Sequence, residues 1–259
     1  MACIVIDTGN TSTSIGRWED GRVSCIAALD GGVKDPIAVE KALLAAGAET
    51  ADSAILASVV PAQNPQWAWM LKRVFGIELE ILSCHSPMPI GIDYPHPSQI
   101  GADRLADAAG AFARHGAPVM VADFGTALTF DVVNPDGNYV GGVIAPGLPL
   151  MTGYLYEKTA QLPRVDLGGD MPLRGDSTEN AMKLGAKLGH RGMVREIAGY
   201  IRESIGADTV LCATGGYAAW ALEGLDIPCS IEPDLTLFGL GTIHDFATIH
   251  DFASRGEET

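Results

Sequence analysis

The sequence is short of positive charge. Its 17 Lys and Arg stand against 32 Asp and Glu, a net charge of −15. So acidic a chain argues against nucleic acid or an anionic membrane as partner. No apolar run approaches the length of a membrane span. The opening MACIVIDTGN lacks the basic stretch and cleavage site of a secretory signal. There is no CxxC pair. The five cysteines (Cys3, Cys25, Cys84, Cys212 and Cys229) are far apart and odd in number, so neither a zinc knuckle nor a disulfide framework is expected. Scattered reduced thiols fit a cytoplasmic setting. Cys84 precedes His85, but a nucleophile and its base meet through the fold, so the pair reads as a chance neighbour.

What is present is apolar substance and alternation. Hydrophobic residues make up 47% of 259, enough for a sizeable core and for two modest lobes. Residues 3–8 and 22–29 read as strands, with Asp20-Gly21 between them as a hairpin signal. A helix is expected over 36–49, with Val39, Ala42, Leu43 and Ala46 on one face. A strand over 53–61 follows, then helical spacing of Trp67, Met70, Leu71 and Val74, then a strand over 78–83. After an irregular, proline-rich stretch (86–99), Leu105, Ala108, Ala109 and Phe112 mark another helix. Strands alternating with helices predict an α/β architecture. HGAP at 115–118 suggests a division into lobes of 1–116 and 117–259.

The second half echoes the first. Asp7 ends an apolar strand and Gly9 follows it by two; Asp123 and Gly125 repeat that arrangement. Asp136-Gly137 then follows Asp123 at the same distance as Asp20-Gly21 follows Asp7. Acid, glycine and hairpin recurring together indicate a duplicated lobe. A literal repeat, TIHDFA, occupies 242–247 and 248–253 ahead of the tail SRGEET. Its His244, Asp245, His250 and Asp251 read as helix residues and not as a metal site.

These loops have chemistry suited to phosphate. In IVIDTGNTSTSIG, glycine lets the backbone approach a ligand with its N–H groups, and Thr and Ser add donors without bulk. An acid there repels phosphate but suits magnesium, which neutralises it. Alone, the loop could be a polar turn; ADFGTALTFD supplies a second, and two such loops facing across a cleft could grip one polyphosphate. A third glycine turn, ATGG, could pass close to a flat ring such as adenine. Within HPSQIGADRLADAAGAF, Asp103 could accept a hydroxyl proton or cap a helix, and Arg104 could hold a carboxylate or pair on the surface.

DTGNT, ASVVP (57–61), GADR, DFGTALTFD, GGVIAPG (141–147), Leu162-Pro163 and ATGG occur in the order seen in type III pantothenate kinases, of the acetate/sugar kinase–Hsp70–actin superfamily. The chain resembles that family over nearly its whole length. The resemblance implies two related ribonuclease H-like lobes, each a mixed sheet with helices, with a cleft between them, in a homodimer. It implies ATP-dependent phosphorylation of the primary hydroxyl of pantothenate, the first step of coenzyme A synthesis. Asp7, Thr8, Gly9, Asn10, Thr11, Ser12, Thr13 and Ser14 would hold ATP phosphates, with Asp7 beside Mg2+. Thr126 would contact ATP, and Gly215 and Gly216 the adenosine. Asp123 would bind K+ or NH4+. Tyr94, Gly101, Ala102, Asp103, Arg104 and Thr178 would contact pantothenate, with Asp103 as general base. Thr8 replaces a common aliphatic residue, and LRGDSTENAM replaces a glycine–lysine–asparagine–threonine run. The competing readings are a sugar or acetate-type kinase, usually a longer chain without GADR, and a regulatory ATP-binding protein of the same fold.

Overall fold

A computed structural model describes residues 1–31, 35–168 and 170–256. The side chains of Cys25 and Asp251 and the last residues of the SRGEET tail lie outside the described residues. The chain divides into two units. One comprises Met1–Gly116, Asp136–Val140 and Asp234–Thr259, the other Ala117–Pro135 and Gly141–Pro233.

In the first unit, β1 (Cys3–Thr8), β2 (Ser12–Glu19) and β3 (Arg22–Asp30) form an antiparallel meander. Asp20 (φ 51°) and Gly21 (φ 74°) both take the left-handed region, as a two-residue hairpin turn demands. Helix α1 (Pro36–Ala45) starts where the Asp35 carboxylate accepts from the Ile37 N–H. It ends short of the predicted 49 because Gly47 turns left-handed. Strand β4 (Ser53–Ser58) lies parallel to β1. It stops before the predicted 61, since Ser58 Oγ draws the Val60 N–H into a turn. Helix α2 (Asn64–Met70) buries Trp67 and Met70 and widens into a π turn over Leu71–Phe75. Within that turn Val74 is 42% exposed, apart from the buried Trp67, Met70 and Leu71 that share its helical spacing. Strand β5 (Leu79–Ile81) completes a sheet of order β3-β2-β1-β4-β5. The proline-rich stretch contributes β6 (Gly91–Ile92), which pairs with Asn138 and Tyr139. Helix α3 (Ala102–His115) follows.

The second unit repeats this plan with β7 (Val119–Phe124), β8 (Ala127–Val133) and β9 (Asn138–Pro146). Helices α4 (Leu148–Lys158) and α5 (Thr178–Ile205) replace α1. Strand β10 (Val210–Thr214) runs parallel to β7. Helix α6 (Ala218–Leu222) leads to β11 (Ser230–Ile231), parallel to β10. The six-stranded sheet runs β6-β9-β8-β7-β10-β11, and its last five strands reproduce the order β3-β2-β1-β4-β5. The duplication read from two acids and two hairpins therefore extends to whole sheets.

Helix α7 (Leu235–Gly256) belongs to the first unit. The sequence division placed this helix with the rest of 117–259, whereas the fold packs it against α3 of the first unit. The cause is the fit between small residues of α3 and α7. Gly110 and Gly239 meet so closely that a Cβ at 239 would collide with the Ala106 carbonyl and lie 3.1 Å from the Gly110 nitrogen. Thr236 donates to buried Asp107 (2.7 Å), and Arg114 pairs with Asp234 (3.2 Å) and stacks 4.0 Å over Phe238. Both TIHDFA copies lie within α7. Asp245 accepts from Trp18 Nε1 (2.9 Å) and His244 meets Ser53 Oγ (3.0 Å), so both fasten the helix to the sheet.

Candidate active site

The first loop follows β1, whose apolar residues are wholly buried up to Ile6. Asp7 stands at its end, half-buried, opposite Ser14 on β2 and Ala57 on β4. The Gly9 N–H bonds to the Ser12 carbonyl (2.9 Å), closing a tight turn. The hydroxyl train divides by burial. Thr8 and Thr13 are fully buried, and Thr13 Oγ1 lies 3.4 Å from Thr8 Oγ1. Asn10, Thr11 and Ser12 are exposed at the tip, and Ser14 is half-buried. A ligand at this loop meets the tip; Thr8 and Thr13 hold the turn from beneath.

The second loop sits at the matching place in the other sheet. Asp123 lies opposite Thr129 on β8 and Thr214 on β10. Two further glycine-bearing segments converge on it. A Cβ at Gly215 would collide with Asp123 Oδ1 and lie 2.6 Å from the Phe124 carbonyl carbon, and φ of 91° also requires glycine there. A Cβ at Gly147 would lie 2.7 Å from the Gly125 carbonyl oxygen and collide with that of Thr126. The Tyr217 N–H donates to the Phe124 carbonyl (3.3 Å). Asp123, Gly125, exposed Thr126, Gly147 and Gly215 thus form one site in the second unit, and Gly216 faces open space.

The GADR segment begins α3, with Gly101 at the N-cap. Asp103 Oδ1 accepts from the Arg104 N–H (2.8 Å) and occupies the space that a Cβ on Gly101 would fill. Glycine is therefore needed so that this carboxylate can fold back over the helix start. Burial pushes the Asp103 carboxyl above its ordinary value, against the opposing pull of the Arg104 N–H and guanidinium. Gly101 and Ala102 line a cavity of about 440 Å³ with Ser58, Val59 and Pro61 after β4, Ser83-Cys84-His85 after β5, and Pro97–Ile100. Cys84 and His85, dismissed in the sequence as chance neighbours, are thus walls of the space beside GADR. Only the meeting of two strand ends with this loop reveals them. Half-buried Tyr94 packs edge-on against Tyr139, centroids 6.1 Å apart. Thr178 belongs to the second unit. It opens α5 after the Ser177 cap and lines a 430 Å³ cavity between α4 and α5 with Met151, Thr152 and Met182.

Residues 3–200 match the family model of type III pantothenate kinase. A type III pantothenate kinase of Akkermansia muciniphila is 46% identical over 190 residues, covering 73% of this chain and 76% of its own. One from Methylacidiphilum infernorum is 37% identical over 243 residues, covering 93% and 87%. Among solved structures, a ROK family glucokinase from Streptomyces griseus, in complex with glucose and AMPPNP, superposes with a TM-score of 0.53 at 15% identity, over 96% of this chain and all of its own. That likeness shows the fold, two mixed sheets with helices in the actin-like ATPase manner. The sequence matches show the family: the chain belongs to the type III pantothenate kinases.

Proposed function

We propose that this kinase transfers the γ-phosphoryl group of ATP to the primary hydroxyl of pantothenate, yielding 4'-phosphopantothenate and opening coenzyme A synthesis. The observation that carries the assignment of roles is Asp103, a carboxylate with a raised pKa at the head of α3 beside a cavity. Asp103 takes the hydroxyl proton as the pantothenate oxygen forms its bond to Pγ and the bond from Pγ to the bridging oxygen of ADP breaks. A base with a raised pKa accepts that proton more readily than an ordinary carboxylate. Arg104 holds the substrate carboxylate, and Gly101, Ala102 and Tyr94 shape its seat. Thr178 serves as a further pantothenate contact, reached through a homodimer.

The tip of the first loop, Gly9 to Ser12, receives ATP phosphates, with Ser14 at its base. Asp7, a hard oxygen donor at the strand end, fits Mg2+, which would neutralise phosphate charge. Asp123 fits K+ or NH4+ as an oxygen donor held against the Gly215 turn. Thr126 contacts the nucleotide, and Gly215 and Gly216 pass beneath adenosine. Exposed Leu150, Tyr154 and Leu155 line an apolar cleft with Pro146, Pro149 and Met151 at the end of β9 and along α4, which suits a second copy of the chain. The setting is the cytoplasm; no described helix is long and apolar enough to cross a membrane. The charge of −15 speaks against nucleic acid as a partner.

The test is turnover by purified protein with ATP, Mg2+ and a panel of monovalent cations. Pantothenate should be phosphorylated, and faster with K+ or NH4+ than with Na+. Phosphorylation of glucose or acetate in its place would overturn the substrate, and indifference to the cation would overturn the role of Asp123.

A further inference from the structure

Lys187 on α5 is 1% exposed, an unusual state for an ammonium group. Its Nζ pairs with the carboxylate of Glu223, just past the end of α6, and lies 4.8 Å from the ring centre of Trp220 within α6. One helical turn further along the same face of α5, Arg191 reaches the next residue of that segment: a Cβ at Gly224 would lie 3.0 Å from Arg191 Nη2. The side chain of Glu223 is 71% exposed, so the carboxylate stands on the solvent side and Lys187 reaches it from within. Hydrogen bonding from Lys187 lowers the Glu223 carboxyl below its ordinary value.

Helix α6 needs such an anchor. It has five residues and no side-chain cap at its N-terminus, too little to hold a position by itself. Its N-terminal end is the Gly215-Gly216-Tyr217 turn, where Gly215 has no room for a Cβ against Asp123 and Phe124 and the Tyr217 N–H donates to the Phe124 carbonyl. A shift of the far end of α6 therefore passes directly into that turn.

We infer that Lys187 is a positioning residue for the nucleotide: by gripping Glu223 and Trp220 from α5, it sets the ATGG turn against the Asp123 loop. The inference rests on the assignment of that turn to adenosine. The ammonium touches no substrate; it acts through the placement of α6. Arginine can keep the charge, the ion pair and the stacking on Trp220, whereas methionine keeps only the stem.

The experiment compares wild-type protein with Lys187→Met, Lys187→Arg and Glu223→Gln, by ATP titration calorimetry without pantothenate and by steady-state kinetics, each variant first checked for a cooperative melt. Lys187→Met should raise the Kd and KM for ATP about tenfold, with kcat and the pantothenate KM within about twofold of wild type. Lys187→Arg should recover most of the loss, and Glu223→Gln should move the ATP constants the same way. An unchanged ATP Kd in folded Lys187→Met, or equal losses for ATP and pantothenate, overturns the inference. If Lys187→Met fails to fold, Glu223→Gln decides: an unchanged ATP Kd there overturns it. Wild-type protein that binds no ATP would instead overturn the functional reading beneath it.

Discussion

Asp103 shows how one residue is set by its neighbours. Its carboxylate is half-buried against Gly101 and the head of α3, and burial favours the protonated form. Asp103→Asn should therefore lower kcat by about 10²–10⁴-fold, the usual worth of a general base, while ATP still binds. Activity should fall as pH drops through the Asp103 pKa, and the acid limb of the profile should lie above the ordinary aspartate value. The folded state holds this proton more tightly than the unfolded chain, so ionising Asp103 costs stability as pH rises. Asp103→Asn should accordingly melt higher than wild type at neutral pH. Gly215→Ala should raise the KM for ATP and cost roughly 1–3 kcal/mol in denaturant unfolding, because φ of 91° and the Phe124 backbone both oppose a side chain. At this scale the sequence was legible where a turn needs a rare backbone conformation, as at Asp20-Gly21. It was not legible where burial decides. Thr8 and Thr13 look like Thr11 and Ser12 on the page, yet the strand register places them opposite one another inside the fold.

Helix α7 carries the clearest consequence at the scale of elements. His244 on α7 meets Ser53 on β4 (3.0 Å), and its Nδ1 lies 3.9 Å from Glu80 on β5. The Cys3 sulfur and the Glu80 carboxylate lift its imidazole to about 10, against the penalty of burial. A histidine whose pKa is higher folded than unfolded contributes stability that is whole below about pH 6.5 and fades up to about pH 10. Urea unfolding should show that decline from neutral to alkaline pH. His244→Gln should lose up to about 4 kcal/mol at pH 7 and flatten the profile. A wild-type profile that is flat across this range would overturn the account. Helices and strands were mostly legible through their periodicity, since one buried face imposes spacing on apolar residues. Their ends were less so: Ser58 and Gly47 stop elements by local bonding and backbone conformation that no apolar pattern records. The partner of α7 was illegible because the Gly110–Gly239 approach is a matter of missing side chains.

For the whole molecule, charge and apolar surface oppose each other. Two copies of a chain with net charge −15 repel, while Leu150, Tyr154 and Leu155 offer apolar area for contact. The proposed homodimer should therefore tighten as salt rises from low levels to about 0.5 M, because screening weakens the repulsion and leaves the apolar contact. Sedimentation across that range would show it, and Tyr154→Asp should shift the population to monomer. A wild-type chain that stays monomeric throughout would remove the dimer and the route to Thr178 with it.

The return of α7 to the first unit also sets an order of events. Trp18 and Asp245 are bonded across 227 residues of chain, and Ser53 and His244 across 191. On a ribosome, β1 to α3 emerge early, but the surface that α7 covers stays bare until the helix has been made. At about 5–20 residues per second, that exposure lasts on the order of ten seconds. The second unit has all its residues before then. The unit begun first is finished last, and its open face is where a chaperone would find the nascent chain.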